Sequence, residues 1–291
     1  MSLPQSQSWL ITGASSGIGA ALARTVASQG ALLFLVARRA DQLEAVANDV
    51  RAAGATAVVL PCDLTKADQT ETMMQSVLSH TVPDVVVHNA GRGNCASIEH
   101  TTDEVWREMF ALNVDAVFRI TRAILPAMRA RNSGHIVTIS SVAGRMAFPF
   151  NAAYVAAKHA VTGFTAALRT ELAGTNIYAS IMCPAGVTTD WATVTEGGPI
   201  GAIFAEGIRL SRTIAKERGL PFAPLTPMIS ADAFAKAIVE TVQRGRSSDV
   251  FTHAGTMDHA ALAVTDRNAL DDAFLPLHLG MQQAYSTHHG S

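Results

Sequence analysis

The run Tyr154-Val155-Ala156-Ala157-Lys158 sets a phenol and an ammonium four residues apart, thirteen residues after the hydroxyl of Ser141. On a helix, side chains at that spacing point the same way, so the ammonium can stand beside the phenol and favour its ionisation. An ordinary phenol, with a pKa of about 10, exchanges protons poorly at neutral pH, and Lys158 is expected to draw Tyr154 down toward the working range. Such a pair hands a proton to a carbonyl oxygen, while Ser141 donates to the oxyanion growing there. Far upstream stands Thr12-Gly13-Ala14-Ser15-Ser16-Gly17-Ile18-Gly19. It follows the apolar Trp9-Leu10-Ile11 and opens a helical pattern carrying Ile18, Leu22 and Val26, so backbone N–H groups and a helix N-terminus meet a pyrophosphate there. A dinucleotide beside a proton donor means hydride transfer.

Nucleotide choice is read where the second strand ends. An NAD site places an acidic side chain there for the ribose hydroxyls, whereas this chain has Ala37, Arg38 and Arg39. Two guanidiniums grip a 2′-phosphate through charge-assisted, bidentate bonds, and no acid repels it. NADP(H) is therefore expected in preference to NAD(H), unless Arg38 and Arg39 only open a solvated helix and pair with Asp41 and Glu44. Asp63 and Leu64 follow the third strand, where a carboxylate can accept from the adenine amino group or cap the next helix. Asn89-Ala90-Gly91 ends the fourth. Its small residues let the backbone pass close to a cofactor, with Asn89 serving either the cofactor or the turn itself.

The elements that hold these groups show as an alternation. Apolar, β-branched runs at about 8–12, 31–37, 56–61, 84–88, 135–140, 177–183 and 249–252 read as strands, with helical patterns between them. Repeated βαβ units dictate an α/β fold whose parallel sheet carries helices on both faces, in a single domain over residues 1–291. The stretch from about 190 to 228 is too long for an ordinary connection. Within it Ile200, Ile203, Phe204, Ile208, Ser211 and Ile214 share one helix face, which suits either a substrate lid inserted beside the cleft or a helix packed on the body. A C-terminal extension occupies about 255–291. Thr256 to Asp272 reads as helix, Leu275-Pro276-Leu277 as a segment able to dock on a neighbour, and the last six residues, Ser286 to Ser291, as frayed.

Ligand pockets in such sheets lie outside the carboxyl ends of the strands. Arg92, Asn94, Cys95, Val142, Arg145, Met146, Phe148, Trp191, Phe204 and Ile208 fall there. Mostly aromatic and aliphatic, they predict a moderately bulky, largely apolar ketone or secondary alcohol, with Arg145 either reaching a polar tail or facing solvent.

With 22 basic against 24 acidic residues the chain has no field for collecting phosphate backbones, which argues against nucleic acid. The start lacks a basic, apolar leader and no apolar run approaches bilayer length, so a cytoplasmic protein that does not enter membranes is expected. Cys62, Cys95 and Cys183 lie in or beside apolar runs and read as core thiols. The ten histidines form no two-His helix pair with a carboxylate and no Cys/His array, so no metal is expected.

Thr12-Gly13-x-x-x-Gly17-x-Gly19, Asn89-Ala90-Gly91, Asn113, Ser141 and Tyr154-x-x-x-Lys158, over about residues 8–190, resemble the classical short-chain dehydrogenase/reductase family in order and spacing. The resemblance implies a Rossmann-type, doubly wound sheet of seven strands, a nicotinamide cofactor, alcohol/carbonyl interconversion, and a homodimer or homotetramer built on long helices near 105–131 and 154–173. It further implies that Asn113 holds a water linking Lys158 to solvent, that Lys158 holds the nicotinamide ribose, that the cationic oxidised nicotinamide helps Lys158 lower the Tyr154 pKa, and that Pro184, Gly186, Val187 and Thr189 touch the cofactor. The chain departs from the family at His88, where a second asparagine is common, and at Ala185, where glycine is expected after Pro184. Two other functions stand beside carbonyl reduction. One is 3-oxoacyl-carrier-protein reduction, with Arg129, Arg131, Arg209 and Arg212 as a landing surface for an acidic carrier; the other is a non-catalytic NADPH-binding regulator or scaffold.

Overall fold

Strand β1, Ser8–Thr12, is buried along its whole length. Because successive side chains alternate, Trp9 and Ile11 enter one core while Leu10 enters another, and Leu33 and Leu35 in β2 (Leu32–Ala37) likewise oppose Phe34 and Val36. A sheet covered on both faces thus explains why these strands read as unbroken apolar runs. The structure, a computed structural model, describes residues 7–28, 30–195, 198–222 and 227–289. Its further strands are β3 (Thr56–Pro61), β4 (Val85–His88), β5 (Gly134–Ile139), β6 (Ile177–Cys183), the short β7 (Val187–Thr188) and β8 (Ile229–Ser230), and β9 (Asp249–Phe251). Seven of them form one parallel sheet in the order β3-β2-β1-β4-β5-β6-β9. The chain winds outward from β1 to β3, returns to β4, and winds outward the other way. That reversal between β1 and β4 opens a crevice at the carboxyl ends of the strands.

The helices are α1 (Gly17–Val26), α2 (Ala40–Ala52), α3 (Ala67–His80), α4 (Asp103–Phe110), α5 (Ala116–Arg131), α6 (Ala152–Glu171), α7 (Trp191–Val194), α8 (Ile200–Arg218), α9 (Ala231–Gln243), α10 (Thr256–Thr265) and α11 (Arg267–His289). The long helix anticipated near 105–131 is split by a wider π-type turn at Ala111–Asp115. The helix anticipated from Thr256 to Asp272 breaks at Asp266, whose carboxylate accepts the Ala269 N–H at 3.0 Å and so caps α11. Leu277 does not wait for a neighbour: it is buried with Phe274, Met281 and Ala284 in a third core shared with Ile200 and Ile203 of α8. Ser286 to His289 continue α11, while Gly290 and Ser291 lie outside the described residues. Helices α8 and α11 meet at glycines, since a Cβ on Gly280 would stand 2.4 Å from the carbonyl oxygen of Gly207. Among the described residues no helix is long and apolar enough to cross a membrane.

Candidate active site

The crevice holds one continuous cleft of about 1080 Å³. At one end lies the glycine turn, with Gly13 (φ 67°) and Gly17 (φ 52°) in the left-handed region that side chains disfavour. Space demands glycine as well. A Cβ on Gly13 would sit 2.9 Å from Ala90 Cα, and one on Gly19 would sit 2.3 Å from Gly13 O. Gly19 therefore lies beneath the turn rather than along the cleft, and its service is to let α1 approach. Asn89 lines the cleft but its amide is spent on the turn, donating to Thr12 O at 2.9 Å and Gly13 O at 3.3 Å. Thr12 Oγ1 completes the seam by accepting the N–H groups of Asn89 and Ala90, both at 3.0 Å.

Arg39 swings over this turn, its Nη2 donating to Ser16 Oγ at 2.8 Å and Ser15 Oγ at 3.2 Å. The alternative pairing with Glu44 does not occur, since Glu44 binds Arg51. Asp63 caps no helix; its carboxylate accepts the N–H and hydroxyl of Thr65 at 3.0 and 2.8 Å. Burial acts to raise its pKa, but the Thr65 bonds and then the Arg38 and Lys66 cations outweigh burial and hold it below the usual range. Ser15, Ser16, Ile18, Ala37, Arg38, Arg39, Asp63, Leu64, Ala90 and Gly91 all face the cleft. So do Pro184, Gly186, Val187 and Thr189, on the strap after β6.

Ser141, Tyr154 and Lys158 meet at the middle of the cleft. Ser141 stands just past β5, its Oγ accepting the Ala143 N–H at 3.1 Å and donating to Pro184 O at 3.4 Å, beside the Tyr154 phenol whose pKa it acts to lower. Lys158, one turn along α6 from Tyr154, is buried, with Nζ 5.6 Å from the centre of the Tyr154 ring and donating to Ile139 O at 2.9 Å. Burial pushes the Lys158 pKa down to about 8. Burial also pushes Tyr154 up to about 12, against the opposing pull of the Ser141 hydroxyl. The expected depression of Tyr154 by Lys158 is therefore not what the protein's own groups produce, because desolvation of the phenol outweighs an ammonium committed to a backbone carbonyl. Asn113 sits in the π-type turn, a geometry frequent at functional sites. Its Nδ2 donates to Met109 O at 3.0 Å and Arg92 O at 3.1 Å, and its Oδ1 is buried without a partner among the described residues. A Cβ on Gly91 would lie 2.6 Å from that Oδ1 and 3.4 Å from Lys158 Nζ.

Beyond Tyr154 the walls turn apolar, with Val142, Met146, Phe148, Trp191, Phe204, Ile208 and Phe274 lining the cleft. Trp191 tilts against Tyr154, ring centres 5.6 Å apart, and packs so closely on Gly93 that a Cβ there would stand 2.3 Å from Cζ2. Arg145 is not among these walls: Asp249 of β9 draws it away at 2.5 Å and also pairs with Arg169. Asn94 and Cys95 are buried behind the wall, Asn94 Oδ1 accepting the Tyr154 N–H at 3.2 Å. His88 turns from the cleft to Thr121 Oγ1 at 3.0 Å, and burial pushes its pKa down to about 3.

Sequence reasoning missed His253 and His259. His253, just past β9, accepts the Ala185 N–H at Nδ1, 3.2 Å, and donates from Nε2 to Gly186 O, 2.9 Å. It holds both peptide groups at the place where alanine replaces the expected glycine. Neither histidine belongs to a local motif, so no spacing announces them.

Fold and cleft together define a dinucleotide-dependent oxidoreductase. A family model for short chain dehydrogenase matches residues 7–197. Ketoacyl reductase HetN of Nostoc sp. is 36% identical over 208 residues, 71% of each chain. The short-chain dehydrogenase from Sphingobium yanoikuyae in complex with NADPH superposes with a TM-score of 0.71 at 25% identity, covering 91% of this chain and 96% of that one. A metagenomic short-chain oxidoreductase in complex with NADP gives 0.67 at 28% identity, covering 85% and 96%. The chain belongs to the short-chain dehydrogenase family, and is an oxidoreductase acting on alcohol and ketone groups with NAD(P).

Proposed function

We propose that this protein is an NADP(H)-preferring carbonyl reductase in which Tyr154 is the general acid. The observation that carries the reading is the meeting of Ser141, Tyr154 and Lys158 midway along a cleft that runs from Arg39 to an apolar pocket. The cleft fits a nicotinamide dinucleotide: the glycine turn leaves no room for side chains, α1 begins at it, and Ser15, Ser16 and Arg39 already form a hydrogen-bonded cluster suited to a 2′-phosphate. When bound, that cofactor supplies or takes the hydride.

Tyr154, held protonated by its buried site, donates the phenolic proton to the carbonyl oxygen as charge grows there. Ser141 hydrogen-bonds the same oxygen and so lowers the cost of that charge. Lys158 stands behind the phenol as the nearest cation and favours the phenolate left by proton transfer. A water between Asn113 Oδ1 and Lys158 Nζ gives the buried oxygen its missing partner and returns a proton to Tyr154. The apolar walls call for a moderately bulky carbonyl substrate. Helix α8 contributes Phe204 and Ile208 to them, in keeping with a substrate lid at about 190–228 within one domain. Phe118 on α5, 44% exposed and edge-on to Phe164 of α6, supports a homodimer or homotetramer built on those helices.

The ketoacyl reductase names of relatives favour a second reading, reduction of a carrier-bound 3-oxoacyl thioester. Arg129 and Arg131 do not serve it. Arg131 donates to Val82 O and Pro83 O before β4, at the amino end of the sheet and away from the cleft, and Arg129 reaches Glu171. Arg209 and Arg212 belong to α8, the helix that gives Phe204 and Ile208 to the cleft wall.

NADPH and NADH oxidation should be followed with aryl ketones, cyclic ketones and an acyl thioester, using the wild type and Tyr154→Phe. The expected result is NADPH-dependent turnover of free ketones that falls at least 100-fold in the variant, about the contribution of a positioned general acid, while NADPH binding persists. Full turnover by Tyr154→Phe would overturn the assignment; thioester turnover far above that of ketones would favour the second reading. Binding without turnover of any carbonyl would favour the regulator.

A further inference from the structure

The reacting groups occupy the middle of the cleft, yet part of its far wall comes from beyond the segment that matches the family. Thr256, His259 and Phe274 belong to α10 and α11, past residue 197. Their placement is fixed. His253 clamps the Ala185–Gly186 strap with its ring while its carbonyl accepts the Thr256 hydroxyl at 2.6 Å, and Thr256 opens α10. One turn later comes His259, which therefore stands in register with the strap.

His259 is half-buried, edge-on to Phe274 with ring centres 5.0 Å apart, and its imidazole has no hydrogen-bond partner among the described residues. Its polar neighbours in the lining differ. Thr256 is spent on His253, Thr189 Oγ1 accepts the Trp191 N–H at 3.2 Å, and Arg92 pairs with Glu108. An imidazole both donates and accepts, so it suits a hydroxyl. A carboxylate would need a counter-charge in an apolar chamber, and Arg145 is already drawn away by Asp249.

We propose that His259 is a specificity-determining residue, holding a distal hydroxyl on an uncharged, flat or cyclic ketone whose body packs among Met146, Phe204, Ile208 and Phe274. This rests on the carbonyl-reductase reading of the same cleft. It adds what the walls alone leave open, namely the chemistry at the end of the substrate remote from its carbonyl.

The test compares 2-acetonaphthone with 6-hydroxy-2-acetonaphthone. Both are titrated calorimetrically into the Tyr154→Phe protein saturated with NADP+, with and without His259→Phe or His259→Gln, and both are assayed for NADPH-dependent reduction with His259 varied alone. The hydroxylated ketone should bind about tenfold more tightly than its parent, the worth of one well-placed hydrogen bond. His259→Phe should collapse that ratio to near one, through KM rather than kcat, and His259→Gln should keep part of it. NADPH affinity in each variant reports intact folding. No preference in the His259 protein, or one that survives His259→Phe, overturns the inference. A His259-dependent preference in binding without reduction of either ketone upholds it while refuting the reductase reading.

Discussion

Replacing Lys158 by methionine should remove turnover and yet stabilise the protein at neutral pH. Lys158 is 6% exposed, and its ammonium has one hydrogen bond among the described residues, to Ile139 O at 2.9 Å. Burial lowers its pKa from 10.5 to about 8. At roughly 1.36 kcal/mol per pH unit, carrying that charge into the fold costs about 3 kcal/mol at pH 7. Methionine has nearly the same length and no charge, and it forfeits a hydrogen bond worth about 1 kcal/mol. A net gain of about 2 kcal/mol is expected.

The sign fixes the pH dependence. Between about pH 8 and 10.5 the unfolded chain still holds the Lys158 proton while the folded protein has released it, so wild-type stability rises with pH across that window. The cost is in full force below pH 8. The advantage of Lys158→Met should therefore be largest at pH 7 and shrink steadily toward pH 10. Urea unfolding at fixed protein concentration, at pH 7, 8.5 and 9.5, measures both. A variant less stable than wild type at pH 7, or an advantage that does not shrink with pH, would refute the claim that Lys158 is held at a desolvation cost for the sake of the phenol beside it.

Arg39→Ala should raise the KM for NADPH about 10- to 30-fold, the worth of a charge-assisted hydrogen bond, and leave NADH nearly untouched; equal effects on both would remove Arg39 from nucleotide choice. Gly280→Val drives a side chain into the Gly207 carbonyl, 2.4 Å from the new Cβ, so α8 and α11 must part and the KM for ketone should rise far more than that for NADPH in steady-state assays. His253→Ala leaves the Ala185 N–H and Gly186 carbonyl without the ring that holds them, and kcat should fall about tenfold, the value of one lost hydrogen bond. His253→Gln, which offers both a donor and an acceptor, should restore most of it if the ring acts by positioning the strap.

The inner strands of the sheet were legible because burial on both faces leaves apolar residues along them, as in Trp9-Leu10-Ile11 or Val85-Val86-Val87, and the partly exposed edge strands β3 and β9 by the apolar runs Ala57 to Leu60 and Val250-Phe251. The cofactor end was legible for a related reason: the tight seam at Gly13, Gly19 and Ala90 admits only small residues, so its geometry is written in residue type. The π-type turn at Asn113 was not, since one widened turn leaves the helical pattern on either side intact. Arg145 misled because its partner, Asp249, lies 104 residues away on the last strand, and no local pattern announces such a pairing. The burial that raises the Tyr154 pKa in the protein alone was not legible either. Spacing shows which charge is near, whereas the depth of burial that outweighs it belongs to the folded state.

Origin along the chain also separates reaction from substrate. Ser141, Tyr154, Lys158 and the glycine turn lie within residues 7–197, the span that carries the family likeness. Phe204, Ile208, His259 and Phe274 lie beyond it, on helices that hold one another through Gly207 and Gly280 and meet the cofactor strap through His253. Likeness over the first span therefore speaks to hydride chemistry and to the near wall at Val142, Met146, Phe148 and Trp191, and says nothing of the part of the wall that α8, α10 and α11 supply. Two family members can share every proton-handling residue and still differ in substrate if α10 and α11 differ. In this protein those two helices present to an apolar chamber an imidazole without a hydrogen-bond partner among the described residues, so the search for its substrate begins with the shape and hydroxylation of the ketone rather than with the relatives' names.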